Sequence, residues 1–126
     1  MAGKVVHFEI PFDDAERARR FYEDALEWQV EQFGDMSYFT TRGEDSDGMG
    51  ADGALAERDA ELRSPLLYIA VADIDASLAR IRAGGGEPLT DRIPIPGMGW
   101  WAAFRDTEGN RMGLFQHDPS VAVPEE

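Results

Sequence analysis

The stretch Trp100–Gln116, WWAAFRDTEGNRMGLFQ, decides the fold. Two apolar runs flank a tight polar turn, Asp106-Thr107-Glu108-Gly109-Asn110. Gly109 and Asn110 supply the backbone freedom that such a turn needs, so the segment reads as a β-hairpin. Upstream of it, Glu87–Thr90 reads as a further strand, joined to the hairpin by the proline-rich loop Ile93–Gly99. Leu66–Val71 is a strand, Asp73 a cap, and Ile74–Ala83 a helix that stops at Gly84-Gly85-Gly86.

The same order appears earlier in the chain. Lys4–Phe12 alternates Phe8, Ile10 and Phe12 with His7, Glu9 and Pro11, the two-residue period of a half-buried strand. Asp13 or Asp14 then caps a helix, in which Ala18, Phe21, Tyr22, Ala25 and Leu26 fall at helical spacing. Trp28–Phe33 and Met36–Thr41 read as strands around a turn at Gly34-Asp35, and Ala54–Glu57 as a short strand. Asp14 matches Asp73 at an offset of 59 residues between positions 14 and 73, which lays PFDDAERARRFY on AVADIDASLARI. An internal period is a fold-level signal. One domain built of two repeats, about 4–57 and 64–117, is expected, each half reading strand, helix, three strands.

Composition narrows the function classes. A chain of 126 residues with 43% hydrophobic content supports one packed domain. Without cysteine, disulfides, thiolate chemistry and cysteine-based zinc sites are excluded. A formal net charge of -13 opposes nucleic acid and anionic membrane surfaces as partners. Of the 12 basic residues only Lys4 is lysine. An acidic, lysine-poor surface suits a high-salt cytoplasm, and a GC-rich genome accounts for it equally well. MAGKVVHFEI lacks the basic region and apolar run of a signal peptide, and no stretch reaches roughly 18 apolar residues, so a cytoplasmic protein that does not span a membrane is expected. The acidic, glycine-rich segment Gly43–Gly53 reads as a solvated loop, because its acidic residues lack calcium-loop spacing. The tail from Asp118 onward reads as polar and frayed.

The repeated βαβββ plan, with HFEIPFDDAERARRFYEDAL in the first half, FRDTEGNRMGLFQ at the end and the Pro96-Gly97-Met98-Gly99 loop between, resembles the vicinal oxygen chelate superfamily over nearly the whole chain. That group includes glyoxalase I, bleomycin- and fosfomycin-resistance proteins and extradiol dioxygenases. The resemblance implies an α+β fold of two βαβββ modules, whose curled mixed sheets surround an open cavity. It also implies metal ligands on the first and last strand of each half. His7 matches the first such position, whereas its counterpart at the 59-residue offset is Leu66. The last-strand position of the second half falls on Gly113, and its first-half counterpart near Gly53 or Ala54. One ligand of four remains, and a catalytic ion usually needs about three protein ligands. No cofactor is therefore expected; a divalent metal would rest on His7 and Glu9.

The residues left at these positions suggest an apolar, roomier cavity. Its expected wall is Tyr38, Leu66, Tyr68, Trp100, Trp101, Gly113 and Phe115, with Gln116 or His117 near the rim. His7, Glu9 and Tyr68 are the candidate catalytic groups: Glu9 as a base of raised pKa, His7 as proton carrier, Tyr68 as donor to a carbonyl oxygen. His117 otherwise reads as a surface residue. The Pro96–Gly99 loop is either a lid hinged on its glycines or a rigid connector. The leading reading is a protein that binds or processes a small organic molecule without the usual metal centre. One alternative is a divalent-metal lyase or dioxygenase using His7, and another is a drug-sequestering resistance-type protein. A homodimer is compatible with open sheets of this kind, although the sequence does not show one.

Overall fold

The structure, a computed structural model, describes residues 3–43 and 50–123. The chain divides into two compact units, Val6–Leu67 and a second made of Met1–Val5 with Tyr68–Glu126.

In the first unit, β1 (Val5–Phe12) leads into α1 (Ala15–Leu26), then β2 (Gln29–Gln32), β3 (Tyr38–Arg42) and β4 (Gly53–Glu57). The sheet order is β2-β3-β4-β1, with β1 parallel to β4 and the other pairs antiparallel. The helix crossover lets β1 and β4 run the same way. Of the two candidate caps, Asp14 is the one used: its Oδ1 accepts the Arg17 N–H at 3.0 Å. Helix α1 lays Ala15, Ala18 and Tyr22 against a core of Phe12, Val30, Phe39 and Leu55. Phe21 and Leu26, expected on that face, are 58% and 53% exposed. Phe21 lies about 100° around the helix from Tyr22, off the buried stripe. It turns its ring edge to Tyr22 instead.

The second unit takes up β5 (Leu66–Ala70) from Tyr68 onward and runs through α2 (Ile74–Ala83), β6 (Glu87–Pro88), β7 (Ile93–Ile95), β8 (Gly99–Arg105) and β9 (Arg111–His117). Strand β5 is parallel to β9, β9 is antiparallel to β8, and β6 and β7 both pair with the far side of β8. Asp73 caps α2 by accepting the Ala76 N–H. The helix packs Ile74 and Leu78 onto Ala102, Phe104 and Leu114. The hairpin turn forms as expected, Gly109 adopting φ 86° while Asp106 Oδ1 accepts the N–H groups of Glu108 and Asn110. The strands pair both parallel and antiparallel and do not close into a barrel, the arrangement of an α+β fold.

Three expectations change here. The strand at Glu87–Thr90 is confined to Glu87–Pro88, although Thr90 Oγ1 still accepts the Ala103 N–H. The proline-rich connector contains β7, an edge strand on which Pro94 needs no ladder donor. The tail is anchored: the Asp118 N–H donates to the Met98 carbonyl, the Gly97 N–H to the Val121 carbonyl, and Val121 is only 9% exposed. These bonds hold the Pro96–Gly99 loop to the segment that follows β9, and so favour the rigid connector over the hinged lid.

Candidate functional site

Strand alternation separates two faces of the first sheet. Phe8, Ile10 and Phe12 turn toward α1. The Phe8 ring covers Gly53, where an added Cβ would come within 2.4 Å of it. His7 and Glu9 therefore occupy the opposite, open face. There His7 Nε2 lies 2.9 Å from the Tyr38 hydroxyl. Tyr38 is on β3 and His7 on β1, with β4 between them. The phenol crosses β4 above Ala54 and Ala56, which are 0% and 7% exposed. Small residues on β4 make this reach possible.

Burial holds the His7 pKa below its usual value, against the charge of Glu9 and a backbone bond to Asp52 that both raise it. The imidazole is therefore neutral near pH 7. A ring N–H bonded to the Asp52 backbone makes Nε2 the acceptor for the Tyr38 O–H. Sequence reasoning singled out His7, Glu9 and Tyr38 but did not join Tyr38 to His7. The signal was the alternation of small residues in Gly53-Ala54-Leu55-Ala56.

The open face of the second sheet carries Tyr68 and Ala70 from β5, Gly113 and Phe115 from β9, and Trp101 and Ala103 from β8. Phe115 pairs with Trp101 on one side and Ala70 on the other; Gly113 pairs with Ala103 and Tyr68. Gly113 is not open space. A Cβ built there would stand 2.4 Å from Tyr68 Cδ2 and 2.9 Å from its Cγ, because the ring lies across the glycine. An aromatic residue paired opposite a strand glycine commonly covers it in this way.

Trp100 is not on this face. It packs with the α2 core, its ring lies 4.1 Å from the Arg92 guanidinium, and its indole N–H donates to Asp118. Gln116 is likewise drawn inward, its Oε1 accepting the Ile74 N–H at 2.8 Å. His117 is exposed at the end of β9. Leu66 is buried at the start of β5. Of the expected wall residues, the structure thus gathers Tyr68, Trp101, Gly113 and Phe115 on one face and removes Trp100 from it.

A protein-family model described as bleomycin resistance protein-like N-terminal matches residues 4–41. A glyoxylase-like domain-containing protein of Didymella fabae is 31% identical over 117 residues, spanning 86% of this chain and 89% of that one. The chain belongs to the vicinal oxygen chelate superfamily. Among solved structures, a Vibrio splendidus member of the glyoxalase/bleomycin resistance/dioxygenase superfamily has a TM-score of 0.65 at 18% identity, covering 92% of this chain and 99% of that one. A Streptomyces coelicolor methylmalonyl-CoA epimerase variant in complex with 2-nitronate-propionyl-CoA has a TM-score of 0.65 at 20% identity, covering 98% and 100%. At these identities the two likenesses are ones of fold.

Metal centres of this superfamily would draw on the four strand positions named above. The register identifies the first-unit counterpart of Gly113 as Ala54: Glu9 pairs with Ala54 as Tyr68 pairs with Gly113, each residue 59 positions on. The set is His7, Ala54, Leu66 and Gly113, which offers one donor. Among the described residues, no three or more His, Asp or Glu side chains gather to hold an ion. The residues present do not fit a metal centre of that kind, and no chemical step is derived through one. Glu44–Met49, within the acidic loop weighed for calcium, lie outside the described residues.

Proposed function

We propose that this chain binds small organic molecules on its open sheet faces: the face of the first unit offers the His7–Tyr38 pair as a polar anchor, and the face of the second offers Tyr68, Trp101 and Phe115 as apolar surface. The observation that carries this reading is the 2.9 Å contact between His7 Nε2 and the Tyr38 hydroxyl. It supports the reading because a hydroxyl bonded to the imidazole is polarised, on the face assigned to Glu9 by strand alternation. A few polar groups on an otherwise apolar face are the usual make-up of a small-molecule site. The proposed setting is the cytoplasm, and the proposed partner is the small molecule itself, with neither nucleic acid nor membrane involved.

A thermal-shift screen of small aromatics and keto acids tests it. Hits that raise the melting temperature of the wild type and fade in Tyr38→Phe or Tyr68→Ala support the proposal. A screen in which no compound stabilises the fold, or in which hits are indifferent to both substitutions, removes it.

A second reading is acid–base processing of the bound molecule, and the neutral state of His7 favours it. A neutral imidazole beside a phenol and a carboxylate can relay a proton between Glu9 and a substrate carbon or oxygen. The epimerase among the fold neighbours makes a methylmalonyl thioester a sensible member of the panel. Proton NMR in deuterium oxide reads the outcome directly. Exchange of a hydrogen next to a carbonyl that is lost in Glu9→Gln supports processing; hits that bind without exchange leave binding alone. The family match over residues 4–41 keeps drug sequestration as a form of the binding reading, and a bleomycin-type compound belongs in the same screen.

A further inference from the structure

The two positions where this superfamily's resemblance calls for a last-strand carboxylate are Ala54 and Gly113. Both hold residues with little or no side chain, and both lie under a tyrosine. In the second unit the cover comes from the adjacent strand: Tyr68, directly opposite Gly113, lays its ring where a Cβ would have to be. In the first unit it comes from two strands away: Tyr38 on β3 crosses Ala54 and Ala56 on β4 to reach His7 on β1. Ala54 is 0% exposed and Gly113 is buried. The strand pairs that hold the two positions share a register, Glu9 pairing with Ala54 as Tyr68 pairs with Gly113 at the 59-residue offset, while Tyr38 reaches in from β3, where it pairs with Ala56.

We propose that tyrosine side chains have taken over the space of the metal-ligating carboxylates on both units, so that Tyr38 with Ala54, and Tyr68 with Gly113, are matched pairs that close the metal positions. Leu66 in place of a second histidine removes a third donor. A glutamate at 113 would need a Cβ that overlaps the Tyr68 ring close to its root, not merely at its mobile tip. The ring would have to leave its rotamer and uncover the glycine strand. The hydroxyls of Tyr38 and Tyr68 are then polar groups these faces offer a ligand in place of metal coordination.

The test is a pair of double-mutant cycles on the full chain, with metal uptake measured beside them. Gly113→Ala is expected to lower the melting temperature by about 5 °C or more with Tyr68 present, the scale of a one-methyl overpacking clash. The same substitution in the Tyr68→Ala background is expected to be neutral or stabilising. Ala54→Val with and without Tyr38→Ala is expected to show the same sign of coupling. Manganese and nickel titrated into the dialysed wild-type protein are expected to give no stoichiometric binding. Additive cycles overturn the matched-pair assignment. So does one ion per chain that survives dialysis and is lost in His7→Ala. None of these readouts depends on finding the small molecule, so they fail or succeed separately from the function proposed above.

Discussion

The open face of the first unit is organised by a hydrogen bond and that of the second by a ring on a glycine. His7 and Tyr38 meet across an intervening strand because that strand carries alanines; Tyr68 settles on its own strand's neighbour because that neighbour carries Gly113. The β1–β4 and β5–β9 pairs beneath are registered alike, whereas the covering tyrosines come from different strands, β3 in the first unit and β5 in the second. One backbone plan thus supports a polar, titratable surface in one half and an aromatic surface in the other. The size of residues on a neighbouring strand decides which arises.

The largest effects expected from substitution lie under those faces. Leu55 and Ile74 are the largest fully buried side chains, one in each core. Leu55→Ala and Ile74→Ala should each cost about 3 kcal/mol by chemical denaturation. A clearly smaller loss for either would break the equivalence of the two cores. Next come the adjacent tryptophans. Trp100→Ala removes core packing and the Arg92 contact and should cost about 2 kcal/mol. Trp101→Ala should cost less and instead weaken ligand stabilisation. If Trp100→Ala proves the more damaging to binding, the assignment of faces is wrong.

The two helix ends differ as well. Helix α1 closes on Glu27 in the left-handed region at φ 59°, whereas the chain after α2 turns on Gly85 at φ 97°. Glu27→Gly should therefore stabilise by about 0.5 to 1 kcal/mol, read as a shift in denaturation midpoint. The smallest effect is a pH slope. Burial lowers the His7 pKa from 6.5, so the unfolded chain binds that proton more readily than the folded one. Stability is then whole above the unfolded value and declines as pH falls through 6.5 toward the lower folded value. His7→Gln should flatten the stability profile in that window. An unchanged slope would mean that His7 is not the group responsible.

Much of the fold is legible in the residues themselves. The caps Asp14 and Asp73 and the Asp106–Asn110 turn are local signals, and the 59-residue offset set by the caps carries through to strand register. Strand β7 was hidden because Pro94 argues against a strand, an objection that an edge position removes. The expected wall held both Trp100 and Trp101, yet they are adjacent on a strand, and alternation alone forbids both from lining one face. The rest of the site was not legible. Gly113 looked like empty space because a sequence shows the missing side chain and not the ring from β5 that fills it. The Tyr38–His7 contact joins residues on strands that are not neighbours, and no periodicity within either strand encodes it.

One detail of the second unit bears on the order in which the molecule is assembled. Lys4 offers its carbonyl to the N–H of Ala70, and residues 3–5 group with the second unit while the rest of β1 belongs to the first. During synthesis Lys4 must wait for β5, dozens of residues later, before this bond can form. Contacts so distant in sequence slow folding, because the loop they close must be ordered before the contact rewards it. The bond between Lys4 and Ala70 is thus a natural late event by which completion of the fold can be timed.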